Sequence, residues 1–296
     1  MTKNTITYGL IRILILSGVV FGTVWFVQNL SGRNKAVNNI CSELDSNFES
    51  KYIFLGSSRT QSAIVPVLFE VRILNLASGN GNLYNSLCLL NALDLDSGSV
   101  VFIELGSLTP RINSSTWKLI RHLGEEPLSV ADELKYYLNS VQRVKESSKL
   151  LNYKLWEEIS LGRDLRMLAG LDTKGKLIGS NGWEGDCTAC EFVFTDKSQL
   201  ENQSHPRLAG ILKNILDQSV RAKIKVYFFL PLSFESKNER EKLVELYNSI
   251  PVGNRVSFSE SSRSLENHNF FADELHLNIT GRQKYSQLVK SYIKTN

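Results

Sequence analysis

The sequence predicts an α/β fold, a three-layer α/β/α sandwich with a central parallel sheet of about five strands, preceded by one transmembrane helix. Three observations carry this expectation. Short runs rich in β-branched and aromatic residues recur at 52–55, 73–76, 100–105, 225–230 and 255–258, each apolar enough to be covered on both faces of a sheet. Segments of helical spacing separate the first three, and alternating strand and helix argues for parallel strands joined by right-handed crossovers. Finally, residues 13–27 carry no charge at all.

That amino-terminal run, extended to residues 8–30 on either side of Arg12, is long enough to span a bilayer, for which about 20 residues suffice, if Arg12 snorkels to the interface. A cleaved signal peptide is the rival reading. No small-x-small cleavage site follows Val27, so a retained anchor is favoured, with residues 1–30 as tail and anchor. The basic residues Lys3 and Arg12 on one side and Arg33 and Lys35 on the other nearly balance. The short amino-terminal tail favours an extracytoplasmic position for the rest of the chain.

Residues 31–50 are polar and read as a linker that turns helical near 36–44, and residues 51–296 form the main domain. Within it, 83–95 places Leu87, Leu90 and Leu93 along one side of a helix. The interval from about 109 to 205 is too long for one crossover, and reads as an insertion over the carboxyl ends of the strands, with helices at 130–144 and 151–161. Its Trp117, Trp156 and Trp183 read as the packed core of a lid more readily than as a sugar-stacking platform. An amphipathic helix at 208–222 returns the chain to the sheet. The last helix, 280–293, has Thr280 as its N-cap and Tyr285, Leu288, Val289 and Tyr292 on its buried face.

The 296 residues are 42% apolar and 22% charged, an ordinary globular composition. A net charge of +4, with acids and bases interleaved, gives no basic stripe, so nucleic acid is set aside as a partner. Of the four cysteines, Cys187 and Cys190 lie in a loop-like setting where a structural disulfide ranks ahead of free thiols, and a metal site last. A thiol oxidoreductase would instead place such a pair at a helix start after a strand.

The apolar strand at 52–55 ends in Gly56-Ser57-Ser58-Arg59, which delivers a serine into a tight turn. Such a turn exposes a hydroxyl at the carboxyl end of a strand, with backbone N–H groups facing the reacting centre. Far downstream, Asp273-Glu274-Leu275-His276 sets a carboxylate three residues before an imidazole. Taken singly, Ser58 reads as a turn residue, Asp273 as a cap and His276 as a surface histidine. Together, and in this order, they make a Ser, Asp and His set.

These blocks, with the glycine turn Asn75-Leu76-Ala77-Ser78-Gly79-Asn80-Gly81 after the second strand, resemble the SGNH (GDSL-like) hydrolase superfamily, whose fold is flavodoxin-like. They are more particularly similar to its membrane-anchored branch, which includes the D-alanine transfer protein and exopolysaccharide acyl-modifying proteins. The resemblance covers residues 51–108 and 224–293. It implies Ser58 as nucleophile, His276 as general base and Asp273 as its orienting carboxylate, with the Ser58 and Gly79 N–H groups as the oxyanion hole and Gly81 as the alternative donor. Where the family has an asparagine after the third strand, this chain reads Glu104-Leu105-Gly106-Ser107, with no asparagine until Asn113. Asn80 or Asn82 could substitute, and Asn80 is a candidate for substrate binding. Arg59 is open to two roles, binding an anionic substrate group or pairing with a carboxylate of the fold.

The expected function is acyl-ester chemistry on a cell-envelope glycan, as esterase or O-acyltransferase, with no cofactor and no metal. The alternative is a catalytically weak glycan-binding or assembly subunit that partners a membrane acyltransferase.

Overall fold

The computed structural model describes residues 51–79, 81–106, 113–124, 176–178, 182–184, 205–232, 237–258, 268–273 and 275–295, with isolated positions at 12, 15–19, 22, 23, 41, 44 and 265. Six strands and six helices are labelled here. The strands are β1 (Tyr52–Leu55), β2 (Ile73–Asn75), β3 (Val100–Glu104), a hairpin of β4 (Lys176–Ile178) and β5 (Gly182–Glu184), and β6 (Lys225–Phe229). The helices are α1 (Ser58–Ala63), α2 (Leu83–Ala92), α3 (Ser114–His122), α4 (His205–Ala222), α5 (Lys237–Ser249) and α6 (Ile279–Thr295).

The fold is α/β, with a four-stranded parallel sheet in the order β2-β1-β3-β6. Strand side chains alternate between faces, and this sorts the apolar runs into two cores. Ile53, Leu55, Val101, Ile103, Val226 and Phe228 point to one side, where α2, α3, α4 and α5 supply leucines, isoleucines and Trp117. Phe54, Phe102 and Phe229 point to the other, against Ala63 of α1 and Tyr285, Val289 and Ile293 of α6. Phe54 stacks on Phe102 across the β1–β3 pair with ring centroids 4.8 Å apart. Helices therefore cover both faces, as a three-layer arrangement requires.

The segment expected as a fifth strand, 255–258, joins the sheet through a single parallel bridge, Phe228 to Arg255. A one-turn helix, Val252–Asn254, precedes it, the Arg255 side chain folds back to the carbonyls of Ile250 (2.6 Å) and Asn248 (2.8 Å), and Val256 N donates to the Phe228 carbonyl at 2.9 Å. The inserted interval is also not lid alone. Its first part forms α3, which packs on α2 and buries Trp117, Leu119 and Ile120 in the core. The start of α6 differs from expectation as well: Ile279 opens the helix, and Asn278 is the residue whose Oδ1 accepts from Gly281 N at 2.9 Å, so Asn278, not Thr280, caps it.

Among the described residues no helix is long and apolar enough to cross a membrane. Most of the 8–30 segment lies outside the described residues, as do the expected helices at 130–144 and 151–161, and Asn80, Cys187 and Cys190.

Candidate active site

β1 ends at Leu55, and the chain turns at Gly56 and Ser57 into α1, so Ser58 is the first helical residue at the carboxyl end of the sheet. This turn demands glycines. A Cβ on Gly56 would lie 2.6 Å from both Cβ and Oε2 of Glu104, and one on Gly81 would collide with the Gly56 carbonyl. The turns after β1 and β2 thus close on each other backbone to backbone, and the Glu104 side chain at the end of β3 lies against Gly56, approaches only a residue without a side chain permits.

The second half of the site is a short loop closed by an antiparallel bridge between Phe271 and Leu277 and by the Ala272 N–H donating to the His276 carbonyl at 2.8 Å. Asp273 shapes the loop from within: its Oδ1 accepts from the N–H groups of Leu275 (2.8 Å) and His276 (2.9 Å). The same carboxylate meets His276 Nδ1 at 2.9 Å through each oxygen. An ionised carboxylate only accepts, so Nδ1 carries the proton and Nε2 presents its lone pair. The Ser58 hydroxyl donates to that Nε2 at 2.8 Å. Folding therefore brings Ser58 to a pair of residues more than 200 positions downstream, giving the order serine, imidazole, carboxylate.

Partial burial pushes the Asp273 carboxyl up, but the hydrogen bond and charge of His276 and the two backbone donors outweigh it, and the pKa lies below its ordinary value of 3.8. The side chain is still 57% exposed, against 18% for His276.

The two expected oxyanion donors are unengaged. Among the described residues, the N–H of Ser58 and the N–H of Gly79 make no hydrogen bond. Gly81 is excluded as the alternative, because its N–H donates to the Ser78 carbonyl at 2.8 Å. Ser78 N in turn donates to Gly56 O at 3.0 Å, which sets Gly79 beside the nucleophile turn. Asn82 is committed elsewhere as the buried N-cap of α2, in a reciprocal capping box with Asn85. Asn113 caps α3 through its Oδ1 and turns its Nδ2 toward Ser78 Oγ (3.3 Å) and Asn85 Oδ1 (3.4 Å), so the asparagine that follows β3 does reach the glycine turn after β2.

Of the two roles open to Arg59, the structure shows the internal one. Its side chain is 8% exposed, and Nε lies 3.0 Å from Glu104 Oε1. Glu104 itself is wholly buried at the end of β3. Burial pushes its carboxyl up, but Arg59 and hydrogen bonds from Thr60 and Ser57 more than offset this and hold the pKa below the ordinary 4.5. Sequence reasoning gave Glu104 no role of its own, naming it only as the start of the block that lacks the family's asparagine.

Behind the pair lies a small cavity bordered by Arg59, Thr60, Leu275, Leu277 and Tyr285. The Tyr285 hydroxyl is buried there without a hydrogen-bond partner among the described residues, and desolvation together with the charge of Glu104 pushes its pKa far up.

No protein-family model and no curated protein matches this chain.

Proposed function

We propose that this chain is an SGNH-like serine esterase or O-acyltransferase that acts on acyl esters of a cell-envelope glycan or exopolysaccharide. The supporting observation is the hydrogen-bonded series from Ser58 through His276 to Asp273. The charge-free run at 13–27 supports an anchor at residues 8–30, with the catalytic domain outside the cytoplasm.

In this reading Ser58 Oγ attacks the ester carbonyl while its proton passes to His276 Nε2. Asp273 keeps Nδ1 protonated and stabilises the imidazolium. The negative oxygen of the tetrahedral intermediate accepts from the free N–H groups of Ser58 and Gly79. Collapse breaks the ester C–O bond, His276 returns the proton to the leaving sugar oxygen, and acyl-Ser58 remains. Water, or a second sugar hydroxyl activated by His276, then takes the acyl group.

One observation favours the second reading, an assembly subunit partnering a membrane acyltransferase. The block after β3 reads Glu104-Leu105-Gly106-Ser107-Leu108, without the asparagine that the resemblance leads one to expect as third donor, and the amide of Asn113 is turned to Ser78 and Asn85.

The deciding experiment treats the full-length chain with a serine-directed alkyl phosphonate and with short-chain aryl esters, beside Ser58→Ala. Labelling of the parent at Ser58 and none in the variant is the expected result. An unlabelled, folded parent would overturn the enzyme reading in favour of the assembly role.

A further inference from the structure

We infer that Glu104 is the positioning residue of the nucleophile turn, clamping the residues on either side of Ser58 so that the Ser58 N–H alone is left for the substrate. The inference rests on the catalytic reading of Ser58 and adds to it a residue that touches neither substrate nor base.

The accounting is complete within the turn. The first turn of any helix has N–H groups without intrahelical partners. Here Ser57 N donates to Glu104 Oε2 at 2.8 Å and Thr60 N to the same oxygen at 3.3 Å. Arg59 N donates to Ser57 Oγ at 3.2 Å, and Gln61 N already reaches Ser57 O at 2.9 Å. Ser58 N is the one left over. The side chains are fixed by the same group, since Ser57 Oγ donates to Oε1 at 2.7 Å and Thr60 Oγ1 to Oε2 at 2.6 Å.

A neutral acceptor could hold part of this turn. A carboxylate accepts at both oxygens, and its charge-assisted bonds are shorter and stronger than neutral ones. The arrangement has a cost that a second residue removes. A bare negative charge behind the turn would oppose the oxyanion forming in front of it, and Arg59, at 3.0 Å, cancels that charge. Arg59 is thus part of the clamp. The glycines belong to it too: Gly56 lets the Glu104 side chain lie against the turn, and a Cβ on Gly106 would come within 3.0 Å of Oε1.

The test is the kinetics of phosphonate labelling in the full-length chain, with the saturating rate separated from the concentration giving half that rate. Glu104→Gln retains the size of the side chain but presents one acceptor oxygen and an N–H₂ group to a ring of donors. The saturating labelling rate should fall roughly 10- to 100-fold, as for a misplaced reacting group, while the half-saturating concentration stays within about twofold, because no substrate contact is lost. Should the glutamine variant fail to fold, Thr60→Val removes the 2.6 Å bond alone and should lower the same rate in the same direction. A folded glutamine variant that labels at the parental rate, or a folded Thr60→Val variant that does so where glutamine does not fold, overturns the role of Glu104. A parent that never labels overturns the reading of Ser58 instead.

Discussion

The Ser286 hydroxyl of α6 donates to the Ala63 carbonyl at the end of α1 at 2.9 Å and accepts from the Val65 N–H at 3.0 Å, joining residues more than 220 positions apart. The helix that starts with Ser58 is thereby fastened at its far end to the helix that follows His276. Asn75 adds a second hold, with Nδ2 3.1 Å from the Ile64 carbonyl. Ser286→Ala leaves the partly buried Val65 N–H without its acceptor and should cost about 1 kcal/mol. Urea denaturation measures this. Turnover should fall as well, because the two halves of the site lose a shared support.

Replacing Asp273 by asparagine keeps a carbonyl oxygen for the Leu275 and His276 N–H groups but allows the imidazole to take the wrong tautomer. Ester hydrolysis should drop roughly 100- to 10,000-fold with little change in KM. Because His276 and the loop N–H groups hold the Asp273 pKa below 3.8, the parent should show no step in its rate profile at that ordinary value. A titration there would place the carboxylate outside the series.

Acid should destabilise the domain through Glu104. Its folded-state pKa lies below the ordinary 4.5, so below that value the unfolded chain binds the additional proton. The stabilisation is fully present above pH 4.5 and is lost as pH falls through the folded-state value. Asp273 acts with the same sign but is half exposed and contributes less. Urea midpoints measured between pH 7 and 3 should fall in the parent and fall less in Glu104→Gln. Equal slopes would show that the carboxylate is not the group responsible.

Tyr285 offers a substitution with the opposite effect. Its hydroxyl is buried with no partner among the described residues, so Tyr285→Phe removes an unsatisfied group and should leave stability unchanged or raise it by about 1 kcal/mol, with activity intact. A lower thermal midpoint would mean that the hydroxyl is hydrogen-bonded in solution.

The strands were legible because β1, β2, β3 and β6 are short apolar runs covered on both faces, and each ends within one residue of where its run stops. Ser58, Asp273 and His276 were legible as a set because their local settings, a glycine-serine turn and an Asx loop, are written in neighbouring residues. Glu104 was not. A carboxylate at the end of an apolar strand reads as an exit to solvent, and its burial depends on Ser57, Arg59 and Thr60, 44 to 47 positions away. The cap of α6 was misplaced because Asn278 and Thr280 are both good caps, and the choice falls to Asn278, whose Nδ2 also donates to the Asn269 carbonyl at 2.7 Å. Helix α3 was missed although its signal was present: Asn113 as cap, then Trp117 and Ile120 three apart on one face.

The chain separation between Ser58 and His276 carries a consequence for the order of assembly. Ser58, its turn and the strand behind it are synthesised early, whereas His276 belongs to a loop followed by α6, the last described element. Closing a loop of 218 residues is entropically slow, and contacts of that span form late. A nascent domain can pair β1, β2 and β3 and still hold an inert alcohol at the sheet edge. In the proposed reading, reactivity appears only when α6 docks and His276 reaches Ser58, so a chain interrupted before residue 276 should be incapable of acylation, and the labelling reaction becomes a clock for the final step of folding.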